Sequence, residues 1–319
     1  MKLEEIYRLF VQKGIEADPR DKKQIEKTLK KLKEKYGKLD KKEKEEFDTE
    51  KLTNPFADTR ILNGDPKTEV KTALVGIDME TPEILLAEKL NEKGGKIDLV
   101  IAHHPEGKAL AALDQVMAVQ ADVMNKYGVP INVAEGVMAG RILEISRAVA
   151  PANHNRAVDA AKILDMPFMC SHTVADNQVY DFLEKTMEKK KPETVGDVLD
   201  ALKEIPEYKA AIKVGAGPRL FTGKPDNRAG KIAITGMTGG TDSDPASIEK
   251  MAQSGIGTII DMHTSDKHKE EAEKHHINIV IAGHMASDSI GMNLLLDEIE
   301  KKGVKVIPCS GLIRVKRSK

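Results

Sequence analysis

The sequence predicts an α/β protein of two lobes with mostly parallel sheets, and three observations lead to this fold class. The chain has 319 residues, of which 40% are hydrophobic and 32% are charged. At about 150 residues per domain, this length corresponds to about two domains with enough apolar material for a core. Short apolar runs alternate with longer segments of helical periodicity, and several runs are apolar throughout, as in strands buried on both faces.

Residues 1–63 are predicted to form a helical appendage and a linker outside the main body. Lys and Glu dominate residues 21–51. The apolar residues that recur there at three- and four-residue steps are Ile25, Leu29, Leu32 and Tyr36. This spacing predicts an amphipathic surface helix. Pro, Gly, Asn and Asp then follow in quick succession over residues 54–67, which is the composition of a linker or turn.

From residue 64 onward, strands and helices are expected to alternate. The predicted strands are 72–76, 97–102, 130–133, 166–170, 231–235, 257–261, 277–282 and 304–308. The predicted helices are 82–93, 109–127, 157–164, 244–254, 268–275 and 290–302. A Lys-rich connection at 188–192 marks the expected division, so the first lobe is predicted over 64–190 and the second over 191–319.

Composition excludes several classes of protein. Lys and Arg number 50 against 51 Asp and Glu, so the net charge of -1 provides no global basic field for nucleic acid or an anionic membrane. No apolar run approaches the ~20 residues that cross a bilayer, and the first residues lack a signal-peptide pattern. Cys170 and Cys309 form no CxxC pair. We therefore expect a cytoplasmic protein that acts without membrane or nucleic acid.

Five of the nine histidines come directly after predicted buried strands. They are His103, His104, His172, His263 and His284. Ligands of open α/β sheets bind beyond the carboxyl ends of the strands, where one crevice can gather such side chains. A lone histidine there is more often structural, but repeated placement weakens that alternative. The other histidines are interpreted as exposed (His154 and His268) or as part of a charged helix end (His275 and His276).

Two of these histidines have a carboxylate four residues further along the chain. His172 is followed by Asp176 in SHTVAD, and His284 is followed by Asp288 in GHMASD. Neutral imidazole and ionised carboxylate both bind borderline divalent metals well. Asp288 has a structural alternative, because it can also cap the helix predicted over 290–302.

The glycine-rich segment TGMTGGTDSDPAS, residues 235–247, leaves two interpretations open. A strand, a glycine turn and a helix in this order resemble an anion cradle at a helix N-terminus, with Pro245 near the first helical position. Asp242 and Asp244 would repel a phosphate there. The alternative is a glycine turn that lets two lobes pack closely. No GxSxG element or cysteine nucleophile arrangement is present, which argues against covalent acyl chemistry.

Three motifs in this order resemble a known family. AHHP after a strand, then SHTVAD, then IVIAGHMASD are similar to the dinuclear-metal proteins called Ngg-interacting-factor-three-like, also known as GTP cyclohydrolase I type 2. The similarity spans about residues 69–315. It implies a two-lobed α/β fold with a pair of metal ions in the cleft between the lobes and, in many members, a ring-shaped homohexamer.

The resemblance also implies roles for individual residues. The implied metal ligands are His103, His104, Asp176 as the bridging carboxylate, His284 and Asp288. The two ions can be Zn, Mn, Fe, Co or Ni. His172 is expected beside the metals, and His172 or His263 is expected to act as the catalytic acid or base. The chain departs from the family in having Asp288 where Glu is usual, in its longer stretch 106–170, which implies an extra helix or lid, and in His263 itself.

This set of residues predicts a function. Two divalent ions about 3.5 to 4 Å apart lower the pKa of a shared water and stabilise negative charge on a substrate oxygen. We expect a metal-dependent hydrolase that uses a metal-activated water on a small molecule, with GTP cyclohydrolase-like, phosphoester and cyclic-amide substrates all open. The alternative is a non-catalytic metal-binding regulatory or scaffold protein that meets a partner through its N-terminal Lys/Glu helix.

Overall fold

The computed structural model describes residues 1–317, which form fourteen α-helices and nine β-strands. The helices are α1 (Leu3–Glu16), α2 (Lys22–Lys38), α3 (Lys41–Glu46), α4 (Thr81–Glu92), α5 (Gly107–Ala111), α6 (Val119–Lys126), α7 (Ile131–Val149), α8 (Arg156–Ile163), α9 (Thr173–Lys190), α10 (Val195–Lys203), α11 (Pro206–Lys213), α12 (Ser247–Gln253), α13 (Asp266–Lys274) and α14 (His284–Glu300). The strands are β1 (Thr59–Asn63), β2 (Thr72–Gly76), β3 (Leu99–Ala102), β4 (Phe168–Ser171), β5 (Arg219–Thr222), β6 (Lys231–Ile234), β7 (Ile256–Asp261), β8 (Asn278–Ile281) and β9 (Lys305–Pro308).

The strands form two sheets, and the predicted α/β fold with mostly parallel pairing is confirmed. The first sheet has the order β1-β4-β3-β2-β9 and is parallel except for β1. The second has the order β5-β8-β7-β6 and is parallel except for β5. Each residue of β3 and of β8 is buried, because apolar packing covers both faces of these central strands.

The N-terminal segment is more integrated than the predicted appendage. Leu3, Ile6 and Phe10 of α1 are fully buried and belong to the core of the first sheet. Residues 59–63, predicted to lie in a linker, form β1 at the edge of that sheet. The Lys/Glu run matches the prediction better, because α2 and α3 bury only one of their residues, Ile25.

The two sheets also divide the chain differently from the predicted boundary at 190/191. The last strand, β9, pairs in parallel with β2 and so belongs to the first sheet. α14 leads back from the second sheet, and Leu295, Leu296 and Ile299 on this helix pack into the first sheet's core. The strands of the second sheet, all between residues 219 and 281, are therefore inserted in the chain between β4 and β9 of the first sheet.

Three predicted elements differ in kind or extent. Residues 130–133 are not a strand, because Pro130 directly precedes α7. The apolar residues of α7 recur at helical spacing and pack against the core of the second sheet. The predicted helix 109–127 is divided into α5, a 3₁₀ turn at Leu113–Val116 and α6. α14 begins at His284, six residues before the predicted start, because Gly283, two residues after β8, has a positive φ of 108° and turns the chain directly into the helix.

The apolar pattern of the sequence does not predict β1 and β5. Both are short strands that pair antiparallel at a sheet edge, and the burial of each is incomplete. A partly exposed edge strand needs no continuous apolar run, so the pattern that predicted the central strands is absent there. No helix in the described part of the chain is long and apolar enough to cross a membrane.

Candidate metal centre

The five histidines that follow strands lie together where the carboxyl ends of the two sheets meet. The His103 ring lies 5.1 Å from the His104 ring and 5.0 Å from that of His172, between centroids. The His284 ring lies 5.4 Å from the His104 ring and 5.2 Å from that of His263. The sequence rule for strand ends therefore located one cluster that draws on both sheets.

Two helices bring carboxylates to this cluster. His172 directly precedes α9 and Asp176 lies in its first turn, whereas His284 is the first residue of α14 and Asp288 follows one turn later. Residues four apart share a helix face, so the His284 Nε2 lies 3.4 Å from Asp288 Oδ2 and the His172 Nε2 lies 3.8 Å from Asp176 Oδ2. Asp288 is not a helix cap, because α14 has already begun.

The two helices pack so closely that their carboxylates reach the same imidazole. The His103 Nε2 lies 3.4 Å from Asp176 Oδ1 and 3.5 Å from Asp288 Oδ1. Gly291 of α14 makes this approach possible, because a Cβ at that position would lie 2.2 Å from the carbonyl oxygen of Ala175 in α9. A larger residue would hold the helices apart.

Oxygen acceptors hold the Nδ1 atoms of three histidines. The His103 Nδ1 lies 3.2 Å from the Ser171 carbonyl oxygen. The His104 Nδ1 lies 2.6 Å from Asp78 Oδ1, and the His172 Nδ1 lies 2.9 Å from Asp58 Oδ2. Since these oxygens accept, each Nδ1 donates, and whenever the ring is neutral its lone pair lies on Nε2. Metal-ligating histidines are commonly held by such contacts.

The cluster also contains buried polar atoms without a hydrogen-bond partner. They are His103 Nε2, Asp176 Oδ1 and both carboxylate oxygens of Asp288. Asp288 is fully buried and Asp176 nearly so. A buried carboxylate is costly unless donors or a cation compensate it. These nitrogen and oxygen atoms face one another, so the donor set fits a divalent cation.

The pKa values of the histidines and carboxylates in the cluster are shifted in different directions. Burial lowers the pKa of His103 to about 4. The pKa of His104 rises to about 10, because its contacts with Asp288 and Asp78 outweigh the effect of burial. Burial raises the pKa of Asp176 to about 8. For Asp288, the surrounding histidines outweigh burial and hold the pKa well below its usual range. The protonation of each of these side chains thus depends on its burial and on the charged groups beside it.

The potential ligand atoms form overlapping groups, within each of which all atoms lie within 4.8 Å of one another. These groups are His103 with Asp176 and Asp288, His104 with His284 and Asp288, and His103 with His104 and His172. Asp288 belongs to both groups that contain a carboxylate. It directs Oδ1 toward His103 and Oδ2 toward His104 and His284. The shorter Asp side chain therefore still reaches the cluster.

His263 lies at the rim of the cluster. Its side chain is 31% exposed, and its Nδ1 lies 4.0 Å from Asp261 Oδ1. Asp261 accepts hydrogen bonds from the Thr235 hydroxyl and the Met262 amide. The position of His263 is compatible with a contact to a bound molecule, since solvent reaches its ring.

Sequence reasoning missed Asp58 and Asp78, which hold the His172 and His104 rings. Asp78 lies two residues past the end of β2, so the strand-end rule that identified the histidines applies to it too. Asp58 precedes β1. That strand runs antiparallel to β4, so its start lies beside the end of β4 and Thr59 pairs with Ser171. No local signal identifies Asp58, because its position depends on the direction of a strand that was not predicted.

The glycine-rich segment supports the packing interpretation. Gly239 and Gly240 both have a φ of 89°, and a Cβ on either would crowd the segment around α6, lying 2.7 Å from Gln120 Cγ and 3.1 Å from Val116 Cγ2 respectively. The Gln120 amide also donates to the Gly239 carbonyl oxygen at 2.9 Å. These glycines therefore let the segment pack against residues that follow the AHHP motif.

One other histidine differs from the prediction. His268 was expected to be exposed, but it is buried at 6% exposure. Its Nδ1 lies 2.7 Å from the Ser265 hydroxyl, and its Nε2 lies 3.0 Å from the Ser243 carbonyl oxygen. Both ring nitrogens are occupied, so His268 joins the start of α13 to the glycine-rich segment.

Comparison with solved structures identifies relatives of this fold. A NIF3 superfamily protein from Sphaerobacter thermophilus matches 82% of this chain and 94% of its own, with a TM-score of 0.74 and 28% identity. Reduced HcgD from Methanocaldococcus jannaschii matches with a TM-score of 0.46 and 14% identity over 78% of this chain and 87% of its own. The Staphylococcus aureus hypothetical protein SA1388 matches with a TM-score of 0.43 and 17% identity over 82% and 93%. No family model matches the chain, and no curated protein does.

Proposed function

Because this chain has the fold of the NIF3 superfamily, the Ngg-interacting-factor-three-like proteins it was predicted to resemble, we propose that it binds two divalent metal ions and acts as a hydrolase. The family resemblance supplies the fold. The metal proposal depends on this chain's own residues in the cleft.

The single observation that supports metal binding most strongly is the convergence of unpartnered buried atoms. His103 Nε2, Asp176 Oδ1 and both oxygens of Asp288 lack hydrogen-bond partners and face one another. The contacts of Asp58, Asp78 and the Ser171 carbonyl oxygen with the Nδ1 atoms direct the Nε2 atoms of the same histidines inward. A cation would compensate the buried negative charge that these side chains bring together.

We assign one ion to His103, Asp176 and Asp288, and the other to His104, His284 and Asp288. Asp288 would then belong to both ligand groups, whereas the resemblance implied Asp176 as the bridging carboxylate. The reason is geometric: the two oxygens of Asp288 face different histidines. All these donors are nitrogen or oxygen atoms, which suits Zn, Mn, Fe, Co or Ni.

A metal pair of this kind lowers the pKa of a bound water and stabilises negative charge on a substrate oxygen. The protein's own part is to orient ligands and to move protons. His263, at the rim, is suited to give a proton to a leaving group, and Asp261 lies beside its Nδ1. His172 is oriented by Asp58 and lies within the cluster, where its exposure is only 6%.

Metal content per chain tests this proposal. Elemental mass spectrometry on the untagged protein, reconstituted with each candidate ion, is expected to give two ions per chain. Asp288→Asn keeps the shape but removes the shared charge, so we expect its content to fall below one ion. Asp159→Asn, on the exposed face of α8, is the matched control and is expected to keep both ions.

The two outcomes separate the candidate functions. No bound metal in the wild type after reconstitution would contradict the metal centre and the hydrolase together. Two bound ions without turnover of nucleotide, phosphoester or amide substrates would favour the non-catalytic scaffold, and the test would then be partner capture that requires residues 1–60.

A further inference from the structure

A cavity of about 250 Å³ adjoins the cluster on the side where the histidines are accessible. The side chains of His104, His263 and His284 are 27%, 31% and 41% exposed, whereas His103 and Asp288 are buried. A molecule in this cavity therefore meets the group of His104, His284 and Asp288 first. The cavity is smaller than the roughly 300–1,000 Å³ typical of sites for drug-sized ligands.

The cavity is lined on one side by histidines of the cluster, and it also has an apolar wall. Leu110 and Leu113 come from the long stretch after AHHP, and Met262 comes from the end of β7 in the other lobe. Leu110 and Leu113 are half-buried, so their side chains leave apolar surface accessible to a ligand. Each methylene group that a ligand buries there is expected to raise its affinity about four-fold.

No Lys or Arg is among the described residues that line this cavity. The charge of the centre itself is also balanced. Four carboxylates contact the cluster's histidines other than His263, and together they match the four positive charges of two divalent ions. They are Asp58, Asp78, Asp176 and Asp288. A polyphosphate is normally held by Arg, Lys or backbone donors in addition to metal ions.

The glycine-rich segment does not supply that missing phosphate site. Gly236 and Gly240 line the cavity, but Gly236 lies against the Asp261 carboxylate, and Gly239 and Gly240 pack against the segment around α6. The helix after the segment, α12, has only seven residues. Arg141, which reaches this segment from α7, is paired with Asp242 at 2.7 Å. The Arg141 guanidinium is thus already paired with a carboxylate.

We infer that the site takes a small carboxylic amide or ester with an apolar acyl chain, and not a nucleotide or another polyphosphate. This inference rests on the proposed function, because the metal pair is what would bind the carbonyl group. Hydrolysis adds one water across the bond: the carbonyl carbon gains the hydroxyl, the C–N or C–O bond breaks, and the leaving nitrogen or oxygen gains the proton.

Binding of hydroxamic acids to the metal-loaded full-length protein tests the inference without requiring turnover. These compounds share one metal-binding headgroup, so differences among them report on the cavity wall. By isothermal titration calorimetry, hexanohydroxamic acid is expected to bind at least about ten-fold more tightly than acetohydroxamic acid. Phosphonoacetohydroxamic acid, with an anionic tail, is expected to bind no more tightly than acetohydroxamic acid.

Substitutions in the apolar wall test whether Leu110 and Leu113 cause the gain in affinity that the longer acyl chain gives. Leu113→Asn and, separately, Leu110→Asn are expected to remove most of the gain in affinity from the longer acyl chain, measured as the ratio of hexanohydroxamate to acetohydroxamate affinity on the same metal-loaded variant. Leu143→Asn is the matched control, because Leu143 is 59% exposed on α7 and does not line the cavity.

The possible results are distinguishable. If two ions bind but the acyl chain gives no gain, or the phosphonate ligand binds most tightly, the inference is wrong and the proposed metal function stands. If the protein takes up no metal, the proposed function is wrong and the inference fails with it. A gain that persists in both wall variants would also contradict the inference.

Discussion

At the scale of single residues, the carboxylates behind the histidines matter as much as the ligands themselves. Asp78 is 54% exposed, yet it lies 2.6 Å from the His104 Nδ1 and orients that ring toward Asp288. Asp58 is buried and contacts both the His172 Nδ1 and the Thr173 hydroxyl. Such contacts raise the basicity of an imidazole and restrict its rotation.

Asp78→Ala is expected to weaken the binding of one ion selectively. His104 belongs to the group with His284 and Asp288, whereas His103 is held by the Ser171 carbonyl. Loss of the contact to Asp78 should reduce affinity for the more exposed ion about ten- to hundred-fold. Stepwise metal titration, with Asp159→Ala as the control, measures this, and an equal loss at both ions would contradict the assignment.

At the scale of elements, the crossing of α9 and α14 brings two carboxylates to one centre. Each helix begins at a strand end and carries its Asp on the turn that faces the cleft. Close contact is possible only because Gly291 has no side chain between α14 and the Ala175 carbonyl oxygen. The separation of Asp176 and Asp288 therefore depends on a glycine three residues beyond Asp288.

Gly291→Ala is expected to destabilise the fold by about 1–3 kcal/mol or more, since the added Cβ forces the helices apart. It should also lower metal affinity, because Asp288 moves with α14. Gly136→Ala on α7 is the matched control. Nothing lies within 4 Å of a Cβ there, so this change should stabilise the protein by about 0.5–1 kcal/mol. Urea unfolding measures both values, and similar effects of the two variants would contradict the packing argument.

At the scale of the whole molecule, the candidate ligands connect the two sheets. His103 and His104 follow β3 of the first sheet, whereas His284 follows β8 of the second. α14 then carries the chain back to β9 in the first sheet. A metal centre at this junction would stabilise the arrangement of both sheets.

Metal binding is therefore expected to raise the thermal midpoint. At free metal about 100 times the dissociation constant, one site that binds only the folded state adds about 2.7 kcal/mol. Differential scanning calorimetry with and without EDTA measures the shift, which Asp288→Asn should lack. A midpoint that does not change with metal would contradict a centre linking the sheets. The homohexamer implied by the resemblance stays a prediction, which light scattering on the full chain tests.

The α/β class, most central strands and the gathering of five histidines were predictable from the amino-acid sequence, because buried parallel strands are continuously apolar and their ends meet at one edge. Helical spacing likewise placed Asp176 and Asp288 beside their histidines. These are local patterns, so they are readable without tertiary contacts.

The remaining features depend on contacts between distant parts of the chain. The sequence placed β1 in a linker and β9 in the second lobe, because pairing with β4 and β2 depends on partners about 108 and 230 residues away along the chain. The roles of Asp58 and Gly291 follow from those long-range approaches. The sharing of Asp288 between two groups likewise depends on how α14 crosses α9, and no periodicity within either helix specifies that crossing.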